Sequence, residues 1–303
     1  MSSIPDDAFE TMHHLTSLTL DGNKLSVVPK ALSGITTLQS LDISNCFISD
    51  ITWLPKSSLL TSLSLGGNKL SNATHVSNAL LPYAKSLSEV DFHDNQLTSI
   101  PDLHFLAVGY SLNLAGNLLS NIKTTTFPTK LDEIDLTSNL FSFIPSFMST
   151  LLFVSTLSMS SNHVTALRST DFISNILYIQ LDRNLITELA DTSFPDNCSI
   201  ISLVLDYNPL TAISPSAFKS LINLTYMSLQ NSHLTRLPLA LASLKKLNTF
   251  DISGSQYLVC TCMEKDLAHW VVSTMSEYSV NGNCGNTSIY DFFKFLSPGC
   301  PVP

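Results

Sequence analysis

The chain has 303 residues, of which 44 % are hydrophobic and 13 % are charged, and its formal net charge is −9 at pH 7. The apolar fraction is sufficient for a buried core. The acidic balance argues against nucleic acid as a ligand, because that binding needs clustered lysine and arginine, and it favours neutral or basic partners. No stretch approaches the roughly 18–20 apolar residues of a membrane-spanning helix. Residues 1–15 also lack the apolar stretch of a secretory signal.

One phrase, Leu-x-x-Leu-x-Leu-x-x-Asn-x-Leu, occurs eleven times from Leu15 onwards, at steps of 22 to 27 residues. A period in the twenties with this pattern indicates a leucine-rich-repeat solenoid, which we assign to residues 15–257. Residues 1–14 have the pattern of the second half of a repeat without its strand, and they carry no polar terminal cap. Because solenoids need such caps, we expect the native chain to continue upstream.

Each phrase contains the alternation Leu-x-Leu, which predicts a short strand with one buried face. Strands repeated in one direction pair in parallel, so we predict an α/β fold, a curved horseshoe whose concave side is a parallel sheet of about eleven strands. The ninth position should be buried and hydrogen-bonded to the backbone. Cys46 occupies it once, and Ser232 and Ser255 occupy it in the last two repeats. The other eight repeats carry Asn23, Asn68, Asn95, Asn117, Asn139, Asn162, Asn184 and Asn208.

The connectors between strands often contain proline, as in Leu25-x-x-Val28-Pro29. Proline lacks the donor for a continuing helix, so we predict a convex side of irregular and 3-10 segments. The longest connector is the exception. There the apolar spacing of Val76, Leu80, Ala84 and Leu87 predicts a helix over residues 76–87.

Residues 258–303 depart from the repeat and contain Cys260-Thr261-Cys262, then Cys284 and Cys300. A helix is predicted over residues 263–272, between the two pairs. Four such cysteines form disulfides or bind zinc, and the single residue between the first two disfavours chelation by both thiolates. Cys46 and Cys198 lie far apart in repeat count, and no bond between them is expected.

This ending, with Leu267 and Trp270 after the first cysteine pair, resembles the C-terminal flanking cap of extracellular leucine-rich-repeat proteins. Toll-like receptors, Slit-type guidance proteins, variable lymphocyte receptors and repeat-bearing receptor kinases share that plan. The resemblance covers essentially the whole chain and implies the pairs Cys260–Cys284 and Cys262–Cys300. Disulfides persist in oxidising compartments, so we expect an extracellular or cell-surface protein whose signal and any anchor lie outside this segment. The short last stretch and the missing N-terminal cap leave the particular family open.

The sequence contains four Asn-x-Ser/Thr acceptors for N-glycosylation. Chance alone would give about this number at this content of asparagine, serine and threonine, so the acceptors do not independently support secretion. They are Asn72, Asn197, Asn223 and Asn286.

The variable positions of the phrase project onto the concave face and hold eleven of the 24 acidic residues but only one basic residue, Arg183. Part of this acidic excess has a structural explanation, because aspartate between the two strand leucines is common in such repeats. For Asp91, His93 and Asp94, the alternatives to a ligand site are a solvated strand edge and a metal site. The first concentration of candidate ligand residues comprises Glu89, Asp91, His93, Asp94, Asp132, Glu133 and Asp135. The second comprises Tyr178, Gln180, Asp182, Arg183, Val204, Asp206, Tyr207, Tyr226 and Gln230.

No phosphate-binding loop, His-Glu-x-x-His or serine elbow occurs, so we predict neither catalysis nor a cofactor nor a metal. Tyrosine and arginine are favoured anchors of interfaces. We therefore predict a module that binds a neutral to basic protein or peptide, as the ectodomain, or part of it, of an extracellular receptor, with a receptor kinase as one form of such a receptor. The alternatives are a secreted or surface adhesion or matrix protein without a signalling role, and an intracellular scaffold.

Overall fold

The computed structural model describes residues 1–106, 111–120, 131–145, 151, 154–173 and 175–300. Gly109, the first residue of one expected repeat, lies outside these ranges. The chain divides into two compact units. Unit 1 comprises Met1–Leu140 and Thr150–Val154, and unit 2 comprises Phe141–Ser149 and Ser155–Pro303.

Unit 1 is built on short strands that pair in parallel, each with the next along the chain. The central residue of a strand opposes its counterpart in the next repeat, as Leu41 opposes both Leu18 and Leu63. Leu41 and Leu63 are buried in the core, Leu18 in the first strand is partly buried, and the flanking side chains face away from the core, because side chains alternate along a strand. The strands are β1 (Ser17–Thr19), β2 (Ser40–Asp42), β3 (Ser62–Ser64), β4 (Glu89–Asp91), β5 (Ser111–Asn113) and β6 (Glu133–Asp135).

Unit 2 continues the plan with five further repeat strands and one strand from the cap. With the six of unit 1, all eleven expected repeat strands are present, so the parallel-sheet prediction is confirmed. The strands in its parallel sheet are β7 (Thr156–Ser158), β8 (Tyr178–Gln180), β10 (Ser202–Val204), β12 (Tyr226–Ser228), β13 (Thr249–Asp251) and β14 (Val280–Asn281). Two smaller pairings involve β9 (Glu188–Leu189) with β11 (Ala212–Ile213), and β15 (Asn283–Cys284) with β16 (Thr287–Ser288).

The ninth position of the repeat forms the expected ladder of buried amides. Asn68 donates from Nδ2 to the carbonyl oxygens of Ile43 and Leu65, both at 2.9 Å, and its Oδ1 accepts from the Ile48 nitrogen at 2.8 Å. One side chain thus satisfies backbone groups of two repeats, which water cannot reach in the core. Where serine replaces asparagine, the Oγ atoms of Ser232 and Ser255 lie 2.9 Å apart.

The connectors are irregular or 3-10, as expected, with 3-10 turns such as Lys30–Gly34 and Leu239–Ser243. The predicted helix over residues 76–87 is wrong in its bounds. Helix α1 spans Ala73–Leu80. Asn72 caps its N-terminus, where the Asn72 side chain accepts from the His75 nitrogen, and a 3-10 turn containing Pro82 follows its C-terminus. A proline there removes a helical donor, which physically explains the early end.

The C-terminal cap is closed by two disulfides, Cys260–Cys284 and Cys262–Cys300, with Cα atoms 5.2 and 5.3 Å apart. The helix expected over residues 263–272 is replaced by a 3-10 segment, Cys262–Leu267, and a π-helical turn, Trp270–Thr274. The Trp270 indole donates to the Leu244 carbonyl at 3.1 Å and seals the end of the core. A short α2 (Ile289–Asp291) follows β16.

Cys46 and Cys198 are buried free thiols. Among the residues that the structure describes, no helix is long and apolar enough to cross a membrane.

Candidate ligand-binding face

In unit 1, the sequence-predicted acidic residues fall into two pairs rather than one contiguous group. Glu89 and Asp91 lie on β4, and Glu133 and Asp135 lie on β6. Strand β5 pairs with both and places Ser111 and Asn113 between them. Two strand spacings separate the pairs by about 10 Å, so their carboxylates do not share one partner atom.

His93 and Asp94 follow β4, and local contacts fix the His93 ring. The His93 Nδ1 lies 2.8 and 2.9 Å from the two Asp91 carboxylate oxygens. A Cβ atom added to Gly66 would lie 2.0 Å from the His93 ring, so the ring packs directly on that glycine. Within the described ranges, no group of three histidine, cysteine, aspartate or glutamate side chains is arranged to hold a metal ion. His93 is thus oriented by Asp91.

In unit 2, the second set of predicted residues forms one contiguous surface, which we call the unit 2 face. Tyr178 and Tyr226 stand in register on either side of Ser202, and they are 44 % and 37 % exposed. Gln180 and Val204 lie next to each other two residues further along the strands. The remaining members of the unit 2 face, all in the turns that follow the strands, are Asp182, Arg183, Asp206, Tyr207 and Gln230.

Neutral donors hold the carboxylates of this surface. Asp206 Oδ1 accepts from the Ser228 hydroxyl at 2.5 Å and from the Gln230 nitrogen at 2.7 Å. Burial raises the pKa of the Asp206 carboxyl above its ordinary value, and these two hydrogen bonds oppose that rise. The Gln230 amide in turn donates to Asp251 at 3.0 Å.

Asp182 accepts from the Ser160 hydroxyl and has one cation nearby, since Arg183 Nε lies 3.9 Å from its second oxygen. The Arg183 guanidinium lies over the Tyr207 ring, 4.4 Å from the ring centroid. Among the described residues of the unit 2 face, Arg183 is the one cation, and these are its two contacts with the face. The surface therefore combines exposed aromatic rings with carboxylates that protein cations leave largely uncompensated.

Sequence reasoning missed the hydroxyl donors Ser160 and Ser228. Both occupy variable positions of the phrase in repeats adjacent to the aspartates that they contact, so the phrase places them on this face but does not show which carboxylate each one reaches. The glycosylation acceptors lie elsewhere, on connectors and the cap. Asn72, Asn197 and Asn286 are exposed, and Asn223 is partly buried and accepts from Lys246 at 2.8 Å.

A known repeat family matches part of the chain. A family model described as "Leucine rich repeat" matches residues 1–48 and 198–256. The chain is similar to an adenylate cyclase of Schizosaccharomyces pombe, at 23 % identity over 270 residues that cover 89 % of this chain and 15 % of the cyclase. It is also similar to the transforming growth factor beta activator LRRC33 of Danio rerio, at 25 % identity over 278 residues that cover 86 % of this chain and 40 % of that protein. The chain therefore spans less than half the length of each.

Among solved structures, the chain matches one chain of the octameric complex of Latrophilin 3, Unc5D and FLRT2, in which FLRT2 is the leucine-rich-repeat component. The TM-score is 0.78 at 19 % identity, and the match covers 99 % of this chain and 94 % of that chain. At this identity the likeness shows the fold alone.

Proposed function

We propose that this extracellular-type leucine-rich-repeat protein binds a protein or peptide ligand of basic character through the unit 2 face. The segment is extracellular or cell-surface, and its two disulfides fit that location. The observation that carries the proposal is the pairing of exposed tyrosines with carboxylates whose hydrogen-bond partners are mostly neutral.

The charge of this surface favours a basic partner. Asp182, Asp206 and Asp251 lie within four consecutive repeats, and Arg183 is the one cation of the unit 2 face. Lysine or arginine side chains of a ligand would compensate these carboxylates, and the acidic field would accelerate encounter at low salt. The expected signature is an association rate that falls as the ionic strength rises.

The tyrosines supply the shape. Tyr178 and Tyr226 are separated by the strand that carries Ser202, so their backbones lie about 10 Å apart across a floor of small side chains. The stem of a lysine or arginine fits between two such rings, and its charged head would gain cation–π attraction there. Val204 adds an apolar side chain to this floor on the side of Asp206.

A selection from random peptides tests the proposal without knowledge of the natural ligand. Random dodecapeptides displayed on phage would be panned on the disulfide-bonded chain, and we expect the selected pool to be enriched in lysine and arginine. Tyr178→Ala and Tyr226→Ala should each lower capture by at least about tenfold, as expected for aromatic anchors. Tyr278→Ala is the matched control, because Tyr278 is 89 % exposed and lies in the cap. A pool without basic enrichment, or equal losses in all three variants, would refute the proposal.

We further propose that the binding segment belongs to a receptor ectodomain and is itself non-catalytic. The alternative is a secreted or surface adhesion or matrix protein without a signalling role, which would bind its partner through the same face. The complete coding sequence discriminates between them. A membrane span followed by a kinase or another signalling domain supports the receptor, and an exported chain without either supports the adhesion protein.

A further inference from the structure

The turn after each repeat strand has the same backbone conformation throughout the array. The eighth residue of the phrase has a positive φ in every one of the eleven repeats. Nine of these positions carry residues that are small or that tolerate the left-handed region, namely Gly22, Asn45, Gly67, Asp94, Gly116, Ser138, Ser161, Asn231 and Gly254. The two exceptions are consecutive: Arg183 at φ 55° and Tyr207 at φ 54°.

A bulky side chain in the left-handed region is strained, because its Cβ atom crowds the backbone, whereas glycine and asparagine adopt the region readily. The neighbouring repeats show that smaller residues serve this turn, as Ser161 does before Arg183 and Asn231 does after Tyr207. Arg183 and Tyr207 therefore oppose the local conformational preference of the chain. Strained positions of this kind cluster at binding sites, where the side chain is retained for what it contacts.

Packing does not explain the two side chains. The Arg183 side chain is 59 % exposed and Tyr207 is 49 % exposed, so neither fills the core. They contact each other instead, with the guanidinium 4.4 Å above the phenol ring. At an exposed site such a stack is weak, so the contact by itself does not offset the strain of two left-handed residues.

The stack leaves one edge of the guanidinium available. Asp182 approaches Nε at 3.9 Å, and in the part of the chain that the structure describes Arg183 has no other ion-pair partner. A guanidinium held flat against a ring presents its terminal donors as a fork, and that fork matches the two oxygens of a carboxylate.

We propose that Arg183 and Tyr207 form an anchor that receives an aspartate or glutamate side chain of the protein ligand. This inference rests on the proposed function and adds to it a specificity: the ligand carries one acidic side chain at a fixed spacing from its basic residues. Because Arg183 is the one cation on an otherwise acidic surface, the acidic residue can dock at one place, and this sets the register of the ligand.

The peptide selection provides the test, since phage-displayed peptides joined through their C-terminus have no free terminal carboxylate. The pool selected on the wild-type chain should contain an aspartate or glutamate at a fixed distance from its basic residues. The pool selected on Arg183→Gln should keep the basic residues and lose the acidic preference. An acidic preference that is absent from the wild-type pool, or that persists in the variant pool, overturns the anchor while the proposed function stands. A pool without basic enrichment overturns both.

Thermal unfolding tests the strain independently. Arg183→Gly and Tyr207→Gly should each raise Tm, because glycine relieves the left-handed conformation, and each should lower capture of the selected peptides by at least about tenfold. Arg183→Gln is the matched control, since it removes the charge but keeps a bulky left-handed residue, and its Tm should equal that of the wild type. A lower Tm in both glycine variants would show that the stack supports the fold, and this would overturn the inference.

Discussion

Replacing Asn208 by alanine should destabilise the chain more than the same change at Asn184, although both amides are buried and occupy the same position of the repeat. Asn184 accepts from the Val164 nitrogen at 2.9 Å, and Asn208 accepts from the Ile186 nitrogen at 3.0 Å. Alanine at either position therefore leaves one buried backbone donor without its acceptor.

The difference lies in the carbonyl groups. Asn184 donates to the Met159 and Leu181 oxygens, but Asn162 also donates to the first and Asn208 to the second. Both carbonyls stay satisfied when Asn184 is removed.

The Leu205 oxygen accepts from Asn208 at 2.9 Å, and the next repeat carries Ser232 in place of an asparagine that could reach it. Asn208→Ala therefore orphans two buried groups, and Asn184→Ala orphans one. At about 1–3 kcal/mol for each group, the expected losses are about 2–6 and about 1–3 kcal/mol.

Urea unfolding followed by circular dichroism, with the disulfides intact, measures both losses. The side chains removed are identical, so the difference between the variants isolates the orphaned Leu205 carbonyl at about 1–3 kcal/mol. Equal losses, or a larger loss at Asn184, would refute the account of the ladder as a set of shared hydrogen bonds.

Three further predictions concern charged and reactive groups. Because burial raises the pKa of Asp206 in the folded chain, the folded state binds this proton more tightly than the unfolded state, and stability recovers as the pH falls through the raised value. Asp206→Asn should therefore raise the urea midpoint at pH 7. The variant should have no higher midpoint than the wild type at a pH below 3.8, the ordinary pKa of the carboxyl, and a lower midpoint of the variant at pH 7 would contradict the reasoning. Arg236→Ala should cost about 3–5 kcal/mol in urea unfolding, because it removes the cation paired with the 3 % exposed Glu264 carboxylate, which then keeps only its hydrogen bonds from Thr261. Lys30→Ala, at an exposed ion pair, should cost at most about 1 kcal/mol. Cys46 should resist iodoacetamide in the native chain and be alkylated in denaturant, because it is fully buried and burial raises its pKa; labelling of the native protein at the denatured rate would disprove this.

Much of the fold could be predicted from the sequence because the repeat period couples local pattern to long-range pairing. The spacing of Leu41 and its counterparts identified the buried centre of each strand, and the register followed from the constant length of the phrase. Helix bounds could not be predicted as well. The apolar spacing from Val76 to Leu87 is helical, but Pro82 interrupts the chain of donors and Asn72 begins the helix earlier.

The candidate site shows the same division. Its residue types, positions and net charge were readable from the phrase, since the variable positions of a strand must face away from the core. The hydroxyl partners of Asp182 and Asp206 were not, because they come from other repeats and depend on side-chain orientation. Nor could the stack of Arg183 on Tyr207 be inferred, because each is one variable residue in its own repeat.

The sequence by itself determined the parallel array, the amide ladder and the acidic character of the exposed positions, because each depends on a pattern repeated at fixed spacing. Only the tertiary structure decided which carboxylates have a cation nearby, and where the asparagine ladder leaves a carbonyl with a single hydrogen-bond partner. Only the structure, likewise, showed that Arg183 and Tyr207 adopt a left-handed conformation at a position where the other repeats carry smaller residues. The side-chain hydrogen bonds and ion pairs arise from contacts between particular repeats, and the periodicity that fixes the fold is the same whether or not such contacts form.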